Sequence, residues 1–255
     1  MSWCDKVAST PVVGLRFGLL HQSSDALLDA LQPLLDTWVE GRKQQFSIEQ
    51  QGPFTITLIT EGGFRYTVDH EGVVVEFRHR WRVKPRSGSL PVAELLSKAR
   101  PYTELLDEGI ERLLQATELV NGPRARMVWR LGIVSNTAVV TSDAPPGVRR
   151  LVDYMSRPWG GNLPHYNLEL TGRLGSKDDH SDRCIHAIGM GEQDNNPDRL
   201  ISIRLDWQRD YNIARPLAVD AIRKQVAAGK KAALEYFEDV AEGSRFDEAI
   251  LRKSA

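Results

Sequence analysis

The stretch 54–83, FTITLITEGGFRYTVDHEGVVVEFRHRWRV, decides the fold class. Apolar and polar residues alternate through 54–60, 64–69 and 73–83. Gly62-Gly63 and Glu71-Gly72 interrupt them as hairpin turns do. With residues 46–50 and the Gly52-Pro53 punctuation upstream, the segment reads as an antiparallel meander. An alternating strand buries one face only, so this meander needs a layer of helices over that face.

Working outward, residues 12–20 (VVGLRFGLL) predict a strand. Ser23 or Ser24 then caps a helix carrying Leu27, Leu28, Leu31, Leu34, Leu35 and Trp38, in which Pro33 forces a kink or an early end. After a loop at 85–88, Pro91 opens a helical stretch reaching about Val120. Pro101 divides it, and Leu105, Leu106, Ile110, Leu113 and Leu114 form its apolar face. Asn121-Gly122-Pro123 is a strong stop.

The order then recurs. Residues 127–140 predict a strand bulged near Ser135-Asn136, and Pro145-Pro146 lead a short helix ending near Met155. Residues 165–171, 184–190 and 200–208 predict strands. Pro216 starts a last helix reaching about Val240, with Leu217, Ile222, Val226, Leu234 and Phe237 as core positions. The predicted fold is α+β: two similar halves, 1–121 and 122–255, each strand, helix, antiparallel meander, helix. Two echoes link the halves, Gly18 with Gly132 in the opening strands and Trp81 with Trp207 in the closing ones. Joining the two sheets into one would hide two aggregation-prone edges.

Composition narrows the function. Apolar residues at 41% and charged residues at 26% describe a chain that packs a core, which excludes wholesale disorder. Lys and Arg number 33 against 34 Asp and Glu, a formal charge of -1, so no bulk field draws the chain to nucleic acid or to an anionic membrane. Cys4 and Cys184 are too few for a disulfide scaffold or a four-thiolate zinc site, and read as two free thiols in a reducing compartment. The opening MSWCDKVAST has neither a secretory pattern nor the Gly that myristoylation needs. No run approaches about 18 apolar residues. The expectation is a cytoplasmic protein with no membrane partner.

Four places carry a family likeness: Pro11-Val12-Val13 before the first strand, Tyr102-Thr103-Glu104-Leu105-Leu106 after the first sheet, Arg130-Leu131-Gly132-Ile133 with Asn136 in the central strand, and the amphipathic stretch 233–246. In these the chain resembles a sporadically distributed, functionally uncharacterised bacterial family of about this length. The family tends to show Arg-Leu-Gly-Leu-Arg-Tyr-Asn in the central strand; Val134 and Ser135 stand here in place of its Arg and aromatic. The resemblance implies the two-half α+β architecture and no particular activity.

Four segments are candidates for chemistry. Residues 177–186 (KDDHSDRCIH) hold Asp178, Asp179, Asp182, His180, His186 and Cys184. These groups can bind a divalent metal or run acid–base chemistry, but His180 and His186 lie six apart, which matches no common zinc spacing. Asp182, Cys184 and His186 would share a strand face, and 175–182 would otherwise be a polar hairpin loop. In 77–86 (FRHRWRVKPR), alternation puts Arg78, Arg80, Arg82 and Lys84 on one face and Phe77, His79, Trp81 and Val83 on the other. Such a row is either an anion track, its side chains about 6.6–6.8 Å apart, or a solvated face neutralised by neighbours such as Glu76 and Asp206. Arg149-Arg150 with Arg157-Pro158-Trp159-Gly160-Gly161 would present Trp159 either as a partner anchor or as a lid on the core. Gly229-Lys230-Lys231 lacks the upstream glycine of a phosphate loop and falls inside a helix.

No Gly-x-Ser-x-Gly elbow or nucleotide fingerprint occurs, so no cofactor is expected. The reading is a non-enzymatic binding or interaction module, a regulatory or immunity-type subunit for a protein partner. Its binding surface would be Arg78, Arg80, Arg82, Lys84, Arg157 and Trp159. Three alternatives stand beside it. One is an RNA- or DNA-binding protein of tandem ferredoxin-like halves using the basic strand. Another is a metal-dependent hydrolase centred on Asp178, Asp179, His180 and His186. The last is a small-molecule pocket between a curved sheet and its long helix.

Overall fold

The computed structural model describes residues 3–7, 9–17, 46–51, 55–60, 62–69, 71–79, 81–86, 89–95, 100–121, 127–160, 166–190 and 200–243. In chain order these form α1 (Trp3–Lys6), β1 (Thr10–Phe17), β2 (Phe46–Gln51), β3 (Thr55–Thr60), β4 (Phe64–Asp69), β5 (Gly72–Phe77), β6 (Trp81–Arg86), β7 (Ser89–Leu95), α2 (Tyr102–Asn121), β8 (Met127–Val140), α3 (Pro146–Ser156), β9 (Tyr166–Ser176), β10 (His180–Met190), β11 (Leu200–Pro216) and α4 (Val219–Glu242). Short 3-10 turns occupy Thr141–Asp143 and Arg157–Trp159.

Nine strands make one antiparallel sheet in the order β2-β3-β4-β5-β1-β8-β11-β10-β9, while β6 and β7 pair separately. The boundary expected at 121/122 falls between α2 and β8, and the sheet runs across it through the β1–β8 ladder. Each of these two central strands has as its other neighbour the last large-sheet strand of the segment that follows it, β5 beside β1 and β11 beside β8.

Alternation assigns the faces. Val13 and Leu15 of β1, Val73, Val75 and Phe77 of β5, Leu131 and Ile133 of β8, and Leu205 and Trp207 of β11 are buried on one side. There α2 packs on β1 and β5, and α4 on β8 and β11. The two helices lie against each other, tied by Arg223–Glu111 and Lys230–Asp107, and α3 packs on α4. Leu105, Leu106, Ile110, Leu113 and Leu114 are buried, as are Leu217, Ile222, Val226 and Phe237; Leu234 is half-buried. The helical period thus located both apolar stripes. The Gly62-Gly63 turn is also where it was expected. Gly63 has φ +87°, and a Cβ there would press on the Arg78 carbonyl at 2.8 Å, which leaves glycine as the residue that fits.

Several elements differ from expectation. The strand expected over 73–83 ends at Phe77: its ladder to β1 stops at Glu76 opposite Val12, and Pro11, which would face Phe77, has no N–H to donate. Trp81 therefore starts β6 in the small sheet, whereas Trp207 sits mid-strand in β11, and the two are not equivalent. Residues 91–95, expected at the start of a helix, lie in β7 instead. Pairing sets Glu94 opposite Arg82, and the helix begins only at Tyr102. The β8 bulge lies not at Ser135-Asn136 but at Trp129, between Val128 and Arg130. The polar loop expected over 175–182 is mostly strand: β9 and β10 extend to a tight turn in which the Lys177 N–H donates to the His180 carbonyl (2.8 Å). Strand β11 runs past 208 to Pro216, with a register shift between Asp210 and Arg215. The helix expected after Ser23 or Ser24, Gly18, and the Gly52-Pro53 turn lie outside the described residues.

Candidate functional site

On the face of the sheet opposite the helices, Gly14 of β1 pairs with Gly132 of β8. The local sequences mirror each other through that pair: Val12, Val13, Gly14, Leu15 and Arg16 face Val134, Ile133, Gly132, Leu131 and Arg130. Two adjacent glycines leave a gap in the carpet of side chains. A furrow of about 210 Å³ opens there, lined by Val12, Gly14, Leu15, Val74, Gly132 and Val134 and rimmed by Arg16, Arg130, Asp206 and Gln208. A Cβ on Gly132 would meet only the Trp207 carbonyl oxygen, at 3.6 Å, so the floor is bare rather than tightly packed.

The rim is held by a network of charges. Arg16 and Arg130 stand directly opposite each other, an unfavourable pair unless each has a counter-charge. Each has one. The Arg130 Nε donates to Asp210 (2.5 Å), and Arg16 reaches Glu71 (3.5 Å) and Asp69 (3.8 Å). The Arg130 guanidinium also stacks 4.5 Å from the Trp129 ring centroid. Further along, Arg183 donates twice to the Gln208 side-chain carbonyl (3.0 and 2.5 Å), the Gln208 amide donates to Asp206 (2.9 Å), and Arg204 pairs with Asp206 (3.1 Å). Side chains held by two partners present a fixed shape to an incoming molecule.

The structure scatters the basic row expected over 78–84. Arg78 pairs with Glu76 (3.0 Å), as the neutralised-face reading required, and that hydrogen bond raises its pKa. His79 turns inward, its ring edge-on to Phe77 at 5.0 Å, and burial lowers its pKa. Arg80 lies outside the described residues; Arg82 and Lys84 lie on β6, in the other sheet, opposite Glu94 and Val92. A row along one continuous strand is therefore not formed. Arg157 sits in the turn after α3 with its guanidinium 5.9 Å from the Tyr154 ring, and Trp159 closes that turn ahead of Gly160 at φ +63°.

Nor do the four metal candidates converge. Asp178 and Asp179 lie in the β9–β10 turn, and His180 and His186 lie six residues apart along β10, about 20 Å by strand rise. Among the described residues no group of three or more His, Cys, Asp or Glu side chains could hold a metal ion. His180 Nδ1 instead meets Asp179 (2.5 Å), which also receives Arg215 (2.6 Å). These bonds, His180 first, hold the Asp179 carboxyl below its usual range. Asp182, Cys184 and His186 do share the helix-side face. Asp182 takes a two-pronged hydrogen bond from Arg209 (2.6 and 2.5 Å), Cys184 is buried, and His186 stacks on Tyr236 of α4 at 4.5 Å.

The furrow was missed because no one of its residues is unusual. The available signal was the inverted match between Val-Val-Gly-Leu-Arg and Arg-Leu-Gly-Ile-Val, which marks two strands able to pair antiparallel with like residues opposed. No protein-family model, no curated protein and no solved structure matches the chain. Among the described residues no helix is long and apolar enough to cross a membrane.

Proposed function

We propose that this protein is a binding module that docks an apolar side chain of a protein partner into the Gly14–Gly132 furrow. The observation that carries the reading is the furrow itself: an apolar floor inside a charged rim. Interface anchor sites share this arrangement, with a desolvated pocket ringed by polar groups. Size supports it. About 210 Å³ falls below the 300–1,000 Å³ of small-molecule pockets, and suits one or two anchoring side chains. Charge supports it as well. Arg16, Arg65, Arg78, Arg130, Arg183 and Arg204 each have a carboxylate within 4.0 Å, so this face offers a mixed lattice rather than the uncompensated cationic track that phosphates need.

The strand order supports one further proposal, that the two halves arose by duplication; kinship with the bacterial family is proposed on the four resembling sequence segments alone. A sheet in which each central strand, β1 or β8, is flanked by the last large-sheet strand of its own segment is the arrangement that duplication would leave.

Parallel affinity capture from the native host with the wild type and with Gly132→Leu tests the docking reading. The leucine fills the furrow where a Cβ has room. A protein recovered in stoichiometric amount by the wild type and lost with the variant, at unchanged melting temperature, supports it. The same protein on both removes the furrow from the interface. Nucleic acid recovered with the wild type, in amounts that fall steeply with salt, would favour the nucleic-acid alternative instead.

A further inference from the structure

Among the described residues, strand β9 ends the large sheet on one side. Its eleven residues, Tyr166–Ser176, include neither proline nor lysine, the residues with which natural edges are commonly blunted. Asn167, Glu169, Leu170, Thr171, Gly172 and Arg173 are all exposed, with Leu170 at 44%. Such an edge offers a row of backbone N–H and C=O groups to another strand.

The strand is complementary to itself. Its register with β10 sets Glu169, Thr171 and Arg173 opposite Ala187, Ile185 and Arg183 on the furrow side, and Leu170 and Gly172 opposite His186 and Cys184 on the helix side. If a second copy pairs antiparallel about a two-fold axis at Thr171, Glu169 of each copy falls opposite Arg173 of the other. Leu170 then falls opposite Gly172. Among the described residues a Cβ on Gly172 has nothing within 4 Å, so they leave open the space that an opposing Leu170 would enter. Sliding the axis to Leu170 sets Glu169 against Thr171, and sliding it to Gly172 carries Glu169 past Arg173 to the register shift at Leu174. Only the Thr171 axis joins the opposite charges, and cross-strand pairs of opposite charge favour one register over its neighbours.

We propose that two copies of this chain join edge to edge through β9, antiparallel about Thr171, into one continuous sheet. An axis normal to the sheet keeps the faces in common, so the dimer carries both furrows on one side and all its described helices on the other. The proposal does not depend on what the furrow binds.

Sedimentation of the full chain tests it. The wild type should be a dimer. Glu169→Arg alone and Arg173→Glu alone should each weaken dimerisation about tenfold by opposing like charges, and the double swap should restore it. Thr171→Cys should form a disulfide-linked dimer under mild oxidation, since residues on the axis lie directly opposite and the native Cys4 and Cys184 are buried. A wild type that stays monomeric to about 100 µM overturns the proposal. So does a dimer indifferent to both single reversals, or a dimer in which Thr171→Cys does not cross-link. If the charge variants fail to fold, the Thr171→Cys cross-link decides alone.

Discussion

The indole of Trp207 lies on the backbone of α4 at Gly229: a Cβ added there would come closer than 3.0 Å to Cε3, Cζ3 and Cδ2 of the ring. That contact gives the glycine of Gly229-Lys230-Lys231 its reason. It is a seat for the largest fully buried side chain of the core, and Lys230 beside it pairs with Asp107 of α2.

Replacing a helical glycine by alanine usually stabilises by about 1 kcal/mol. Here the sign should reverse. Gly229→Ala should destabilise by about 1–3 kcal/mol, the range for overpacking a tight core. Chemical denaturation measures it, and a stabilised variant would show that α4 can lift away from β11.

The Tyr102 hydroxyl is paired with Ser135 Oγ in the core beneath β8, where burial raises the phenol pKa, and its ring meets Phe237 edge-on at 5.1 Å. Tyr102→Phe leaves the serine hydroxyl unsatisfied in dry surroundings and should cost about 1–3 kcal/mol. Adding Ser135→Ala should recover much of that loss. A double-mutant cycle reads the coupling, and strict additivity would mean the two hydroxyls act independently.

Arg209 and Asp182 form an ion pair whose side chains are only 9% and 15% exposed. Breaking it with Asp182→Ala strands a buried guanidinium and should cost about 3–5 kcal/mol, whereas Asp182→Leu with Arg209→Met should return most of the stability. A melting temperature in the double variant as low as in the single one would count against this account.

Stability should depend on pH through His79. Its pKa is lowered in the folded chain by burial, so the unfolded chain binds the proton more tightly. The contribution is complete above the unfolded value near 6.5 and falls as pH drops from there through the folded value. His79→Gln should flatten the stability curve in that window, and urea midpoints measured at intervals across it would show the change. An unaltered slope would place the acid sensitivity elsewhere.

The meander and its helical cover were legible because period-2 and period-3.6 patterns report which side of an element is dry. Val73, Val75 and Phe77 alternate inward, and Leu106, Ile110 and Leu113 repeat along one helix face. Local pattern failed where a partner decided the outcome. Ser89–Leu95 became a strand because β6 was there to pair with it, and β5 ends at Phe77, one residue past its last pair with β1, Glu76 opposite Val12. The candidate sites chosen by residue type, His180 with His186 and Arg78 with Lys84, were separated for the same reason: one pair lies far apart along a strand, and in the other Arg78 follows the end of β5 while Lys84 lies in the small sheet.

By itself the sequence determined the α+β class, the apolar face of each helix and the lack of a strong net charge, since these depend on composition and on spacing within a single element. The tertiary structure decided that one sheet spans both halves, and that Gly14 and Gly132 come together, with Arg16 and Arg130 opposed at the rim of a furrow. Those facts depend on register between strands more than a hundred residues apart. Register is set by which side chains fit across the ladder, a property of the pair that neither strand carries alone.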